Sequence, residues 1–187
     1  SFFLKNHWPL FFFIFTLTVL FFSGRLNFSQ LGFSRSNSKS IRIGLVVGIF
    51  PVLAVIALDL LLVKMGLTVN DLFSGAELRE RPKLSFIKLL IAGVINPAIS
   101  QIFITGYVLN IIAKRNDMAI AGNGIIYATM NFNWGIGYLG LGMISAGLLR
   151  RSGSLIPSIF FAIGCSTAKI LTLTSYPRIT TLLVFLV

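Results

Sequence analysis

Seven apolar runs, at about residues 8–22, 43–64, 84–113, 118–132, 135–149, 155–172 and 178–187, decide which solvent this chain can fold in. A helix needs roughly 20 apolar residues to cross the hydrocarbon of a bilayer. Inside lipid every backbone polar group must be satisfied internally, which leaves helices or a closed barrel. No stretch alternates in polarity for long enough to build barrel strands. The expectation is an all-α, polytopic transmembrane helical bundle of about six or seven membrane helices, forming one integral membrane domain over 1–187. Composition agrees: 11% of the residues are charged, where a soluble domain carries about 25%. The runs at 118–132 and 135–149 are short and Gly-rich, and the last is cut by the chain end. The run at 8–22 lacks a small-residue cleavage site and is read as a helix that stays.

The chain holds 16 Lys and Arg against 5 Asp and Glu, a formal charge of +11. In a soluble protein that excess points to nucleic acid. In a membrane protein it belongs to loops that face anionic lipid, so no nucleic-acid partner is expected. Residues 24–42 carry Arg25, Arg35, Lys39 and Arg42 with no acid, whereas 68–83 mixes Asp71, Glu77 and Glu80 with Arg79, Arg81 and Lys83. Lys114 and Arg115 follow the third run, the 131–134 turn has no charge, and Arg150 and Arg151 follow the fifth. This alternation places the basic loops in the cytoplasm and the N-terminus outside, in a bacterial inner or plasma membrane or a thylakoid-type membrane. Trp8, Trp134 and Tyr176 then fall at the outer interface, where aromatic rings collect. The single cysteine, Cys165, has no partner for an intrachain disulfide, so redox compartment is not legible.

The third run ends in NPAISQIFITGYVLN, residues 96–110. Asn96 and Ser100, and one step round Gln101 and Thr105, form a polar stripe at helical spacing. Pro97 removes a backbone hydrogen bond and is expected to kink the helix. Two readings stay open on these residues alone. The stripe is interhelical glue, at about 0.6–2 kcal/mol per hydrogen bond, or it lines a functional pocket.

The run PAISQIFITGYVLN resembles the signature of the CPBP family of intramembrane proteases, also called the Abi or CAAX-protease-like family: Pro97, Phe103, Gly106 and Tyr107 fall in or beside matching places. Tyr127-Ala-Thr-Met-Asn131 is similar to the family's aromatic followed four residues later by His. RRSGSLIPSIFF, 150–161, resembles its Gly-Ser-rich turn and proline, and LGFSRSNSKSIRIGLVVG, 31–48, its loop and the start of its second helix. The resemblance implies a CPBP-like core over about 30–172. It also implies a catalytic set: a glutamate pair that activates water, a nearby arginine, and histidines that polarise the scissile carbonyl. At those places this chain has Ser100 and Gln101, then Thr105, then Asn131; the second histidine falls near Phe161, with Cys165 in place of a later Asn or Asp. None of these amides and hydroxyls titrates near neutral pH, as a general base must. No catalytic residue, cofactor or metal site is therefore expected. Gln101 and Asn131 are expected to bond each other across two helices.

The resulting expectation is a non-catalytic CPBP-like scaffold or accessory subunit, partnered by another integral membrane protein or membrane complex and by the lipid bilayer. Two alternatives stand beside it: an intramembrane endopeptidase with an unorthodox site, and a subunit that handles lipid or small molecules in the polar pocket. Asp59 and Lys169 are the charges deepest in apolar runs. Each costs at least about 2.5 kcal/mol alone in the membrane core, so either they pair between the second and sixth helices, or Lys169 snorkels to the interface and Asp59 caps a neighbouring backbone amide. Gly124 with Ala128, Gly142 with Ala146, and Gly164 with Ala168 are small residues four apart, expected to be packing notches. GIGYLG, 135–140, matches a dinucleotide fingerprint by letters alone, since no strand precedes it.

Overall fold

The computed structural model describes residues 2–24, 27–34, 38–66, 85–112, 119–131 and 135–175. Among these the chain is helical without strands. Helix α1 is Phe2–Phe22, α2 is Ser38–Lys64, α4 is Ala119–Met130, α5 is Ile136–Ser152 and α6 is Ile156–Ser175. Helix α3 is continuous but changes its winding along its length: α-helical Phe86–Leu90, π-helical Ile91–Ile95, α-helical Asn96–Gln101 and π-helical Ile102–Ile112. Six of the seven expected runs are thus helices, and 178–187 lies outside the described residues, as do Trp134 and Tyr176. Ser38–Lys64 and Ile91–Leu109 are long and apolar enough to cross a membrane; 27 residues of α2 rise about 40 Å. The protein is an all-helical membrane bundle.

Lipid is as apolar as a leucine side chain, so membrane helices associate by close packing, which small residues permit. The most extensive pairing, α2 with α6, is built this way. Gly44 lies directly against the Pro157 carbonyl and Gly48 against that of Phe161, leaving no room for a Cβ at either. A Cβ on Gly164 would come within 2.9 Å of the Leu45 carbonyl. Both helices advance four residues together, so they run parallel and in step. The buried face of α2 (Gly44, Gly48, Val52, Val55 and Asp59) repeats every three or four residues, and Val52 and Val55 pack into one cluster with Cys165.

Helices α4 and α5 form an antiparallel hairpin. A Cβ on Gly124 would lie 2.8 Å from the Leu139 carbonyl, and one on Gly142 2.7 Å from the Gly124 Cα. The expected notches at Gly124, Gly142 and Gly164 are real contacts within the bundle. Helix α1 leans on α3 through Phe13, whose ring stacks on Phe103 at 4.6 Å and 14°.

Two segments distant in sequence close one end of the bundle. Gly153, at φ +68°, ends α5 in the left-handed conformation and donates to the Leu149 carbonyl. The 27–34 loop packs onto this turn: the Ser34 hydroxyl donates to the Gly153 carbonyl (2.8 Å), the Ser154 hydroxyl to the Ser34 carbonyl (3.0 Å), and the Leu155 N–H to the Gly32 carbonyl (2.8 Å). Lys39 and Arg42 at the start of α2 and Arg150 and Arg151 at the end of α5 gather at this end, all exposed.

Candidate functional site

At the opposite end, where α4 ends and α5 begins, lies a cavity of about 180 Å³. Its walls are Ala92, Asn96, Pro97 and Ser100 of α3, Tyr127 and Asn131 at the end of α4, Tyr138 and Leu141 of α5, and Cys165, Ser166, Lys169 and Ile170 of α6. Three positions singled out in sequence, Ser100, Asn131 and Cys165, therefore meet in one space, although 65 residues of chain separate the first from the last. Lys169 joins them, one turn beyond Cys165 on the same face of α6. Its ammonium is the one ionic group among the described residues of the lining.

Helix α3 brings its polar residues here by a change of winding. Pro97 has no N–H to donate to the Gly93 carbonyl four residues back. The helix does not break. It widens before the proline, so that the Asn96 N–H reaches the Ile91 carbonyl, five residues back, while Ile95 and Asn96 keep right-handed helical angles. The orphaned Gly93 carbonyl accepts from the Thr167 hydroxyl of α6 at 3.3 Å. Such π-type turns often mark functional segments, and here the turn rotates Asn96 and Ser100 onto the cavity wall.

Gln101 and Thr105 sit one step round from the cavity, both fully buried. The Thr105 hydroxyl donates to Gln101 Oε1 at 2.7 Å, and the Gln101 amide finds no acceptor for its Nε2. The expected bond between Gln101 and Asn131 is absent. Asn131 turns back to donate to the Tyr127 carbonyl at 2.9 Å, because it sits at the frayed C-terminus of α4 where carbonyls need partners. The amide that reaches the polar stripe is Asn123, two turns earlier. It donates to the Gly142 carbonyl at 2.7 Å and lies 3.3 Å from the Thr105 hydroxyl, tying α4 to α5 and α3. Asn123 was not among the expected residues; its signal was an amide in the middle of the apolar run at 118–132, next to a glycine that packs.

Phe161 is also fully buried, but its backbone meets Gly48 at the α2–α6 seam and it takes no part in the cavity. Asp59 is fully buried on the face of α2 turned to α6. Continuing the Gly48–Phe161 register, Asp59 falls level with Thr172, one helical turn above Lys169. Among the described residues no three His, Cys, Asp or Glu side chains gather.

The lining offers amides, hydroxyls, phenols, a thiol and one cation. It can accept and donate hydrogen bonds, and it can balance one negative charge. Residues 82–168 match the family model described as Type II CAAX prenyl endopeptidase Rce1-like. These residues include the segments 96–110, 127–131 and 150–161, whereas 31–48 lies outside them. No curated protein and no solved structure matches the chain.

Proposed function

We propose, starting from this chain's place in the CAAX-protease-like family over residues 82–168, that it is a non-catalytic membrane member of that family which acts by binding, as a scaffold or accessory subunit of a larger membrane complex. The observation that carries this is the makeup of the cavity. Ser100, Asn131 and Cys165 stand where the family resemblance puts water-activating and carbonyl-polarising groups, and they share one pocket with no carboxylate or imidazole among the described residues of its lining. A positioned acid or base typically contributes about 10²–10⁴ in rate, and neither neutral amides nor hydroxyls supply one. The rest of the molecule suits contact with other membrane components. Helix α2 turns Val46, Phe50, Leu53, Leu60 and Leu61 outward, each more than half exposed. The basic end, with Lys39, Arg42, Arg150 and Arg151, is placed on the cytoplasmic side by the same rule that orients other multi-pass proteins.

The test is purification of the full chain in mild detergent alongside peptide-cleavage assays. A membrane protein recovered at fixed stoichiometry, with no cleavage of prenylated or unprenylated peptides, supports the scaffold. Monodisperse recovery of the chain alone overturns it.

One observation favours a second reading, the unorthodox endopeptidase: the Ser100 hydroxyl and the Lys169 amine line the same cavity, and a hydroxyl with a neighbouring amine is one form of activated nucleophile. Cleavage abolished by both Ser100→Ala and Lys169→Met would establish that reading in place of the scaffold.

A further inference from the structure

The described lining of the cavity is rich in polar side chains: Asn96, Ser100, Asn131, Ser166 and Lys169. Buried hydroxyls and amides are ordinarily hydrogen-bonded. Ser100 is 3% exposed, yet its hydroxyl makes no hydrogen bond among the described residues. Asn96 and Ser166, both half-buried, line the facing walls of the same cavity. In a helix, serine usually satisfies itself on the carbonyl four residues back; Ser100 forgoes that and faces the cavity. A space of about 180 Å³ exceeds the ~30 Å³ share of one water several-fold.

Charge narrows what fits. Among the described residues of the lining the sole ion is the ammonium of Lys169, about 9 Å from the end of α6 at 1.5 Å per residue. A cation at that depth needs an anion or an exit to the interface. Beside it stand hydroxyl and amide N–H donors, which is the donor set that oxyanions take. The surroundings narrow it further. The bundle exposes large apolar side chains along α2 and α3, including Leu60, Leu61, Ile87 and Ile95, so the solutes most concentrated at the cavity mouth are lipids.

We propose that this cavity binds the phosphate oxyanion of an anionic lipid headgroup, with Lys169 as its counter-ion and Ser100, Ser166 and Asn96 as hydrogen-bond donors. A headgroup that carries its own ammonium brings a second cation against Lys169 and is disfavoured. The site goes beyond the scaffold reading and does not depend on whether a protein partner covers the bundle.

The experiment reconstitutes the full chain in bilayers of equal phosphatidylglycerol and phosphatidylcholine, exchanges it into detergent, and measures retained lipid by native mass spectrometry. Phosphatidylglycerol is expected to be retained about tenfold over phosphatidylcholine, the ratio that one charge-assisted hydrogen bond supplies. Lys169→Met removes the preference, Lys169→Arg keeps it, and Ser100→Ala weakens it. Equal retention of the two lipids by the wild type overturns the proposal. So does an undiminished preference in Lys169→Met at an unchanged melting temperature. Should Lys169→Met fail to fold, Ser100→Ala decides, and a wild-type preference in that variant overturns the site. A parallel titration with inorganic phosphate separates the sources. No rise in melting temperature alongside selective lipid retention supports the headgroup; a rise without selective retention overturns it in favour of the free ion.

Discussion

The hydroxyl of Thr167 on α6 donates to the carbonyl of Gly93 on α3, 3.3 Å away. That carbonyl is the one Pro97 leaves without a helical partner, because a proline nitrogen carries no hydrogen. One helix thus repairs the defect that proline makes in another, and the repair fixes α3 against α6 at the floor of the cavity.

A double-mutant cycle tests this coupling. Thr167→Val is expected to destabilise the bundle by about 1 kcal/mol, the scale of interhelical hydrogen bonds in membranes, while Thr167→Ser is near neutral. In a Pro97→Ala background the restored N–H of residue 97 can reach Gly93, so Thr167→Val costs less. Equal cost in both backgrounds, measured by unfolding in mixed detergent, would show that Thr167 merely packs.

Gly48→Ala forces a methyl into the Phe161 carbonyl and the neighbouring Cys165 backbone. Neither is a flexible side-chain end that can swing away, so α2 and α6 must separate. A loss of about 1–3 kcal/mol is expected from such overpacking, read as a lower melting temperature. Gly147→Ala, where nothing lies within 4 Å of the new Cβ, serves as the control and is expected to leave stability unchanged.

Asn123 and Gln101 are both fully buried amides, but their satisfaction differs. Each leaves one atom without a partner, Asn123 Oδ1 and Gln101 Nε2, but Asn123 Nδ2 ties α4 to the Gly142 carbonyl of α5 and to Thr105 of α3, whereas Gln101 accepts a single bond from Thr105 on its own helix. Asn123→Leu therefore strands a buried carbonyl and is expected to cost about 1–3 kcal/mol. Gln101→Met removes only one bond, made within α3, so its cost is smaller. Thermal unfolding of the two variants side by side checks the order; the reverse order would mean that Gln101 is the amide the bundle relies on.

The polar stripe was legible as a stripe, from Asn96, Ser100, Gln101 and Thr105 alone, because helical periodicity is written in the order of residues. Which members of it face a cavity was not. The widened turn before Pro97 rotates the helix, and a sequence pattern assumes constant pitch. The Gln101–Asn131 bond failed for a related reason. Two amides on two helices look equivalent until the height of each helix is known, and the α4–α5 contact through Gly124 and Gly142 lifts Asn123, rather than Asn131, to the level of Thr105.

By itself the amino-acid order determined that this chain is a bundle of membrane helices, where six of them lie, and that Gly124, Gly142 and Gly164 are notches, though not Gly44 and Gly48. Hydropathy and side-chain size act locally, so they survive without knowledge of neighbours. The tertiary structure alone decided that Lys169 enters the same space as Ser100, Asn131 and Cys165, and that Phe161 does not. Those assignments depend on the relative rotation and height of α3, α4 and α6, which are set by close backbone contacts between residues far apart in the chain.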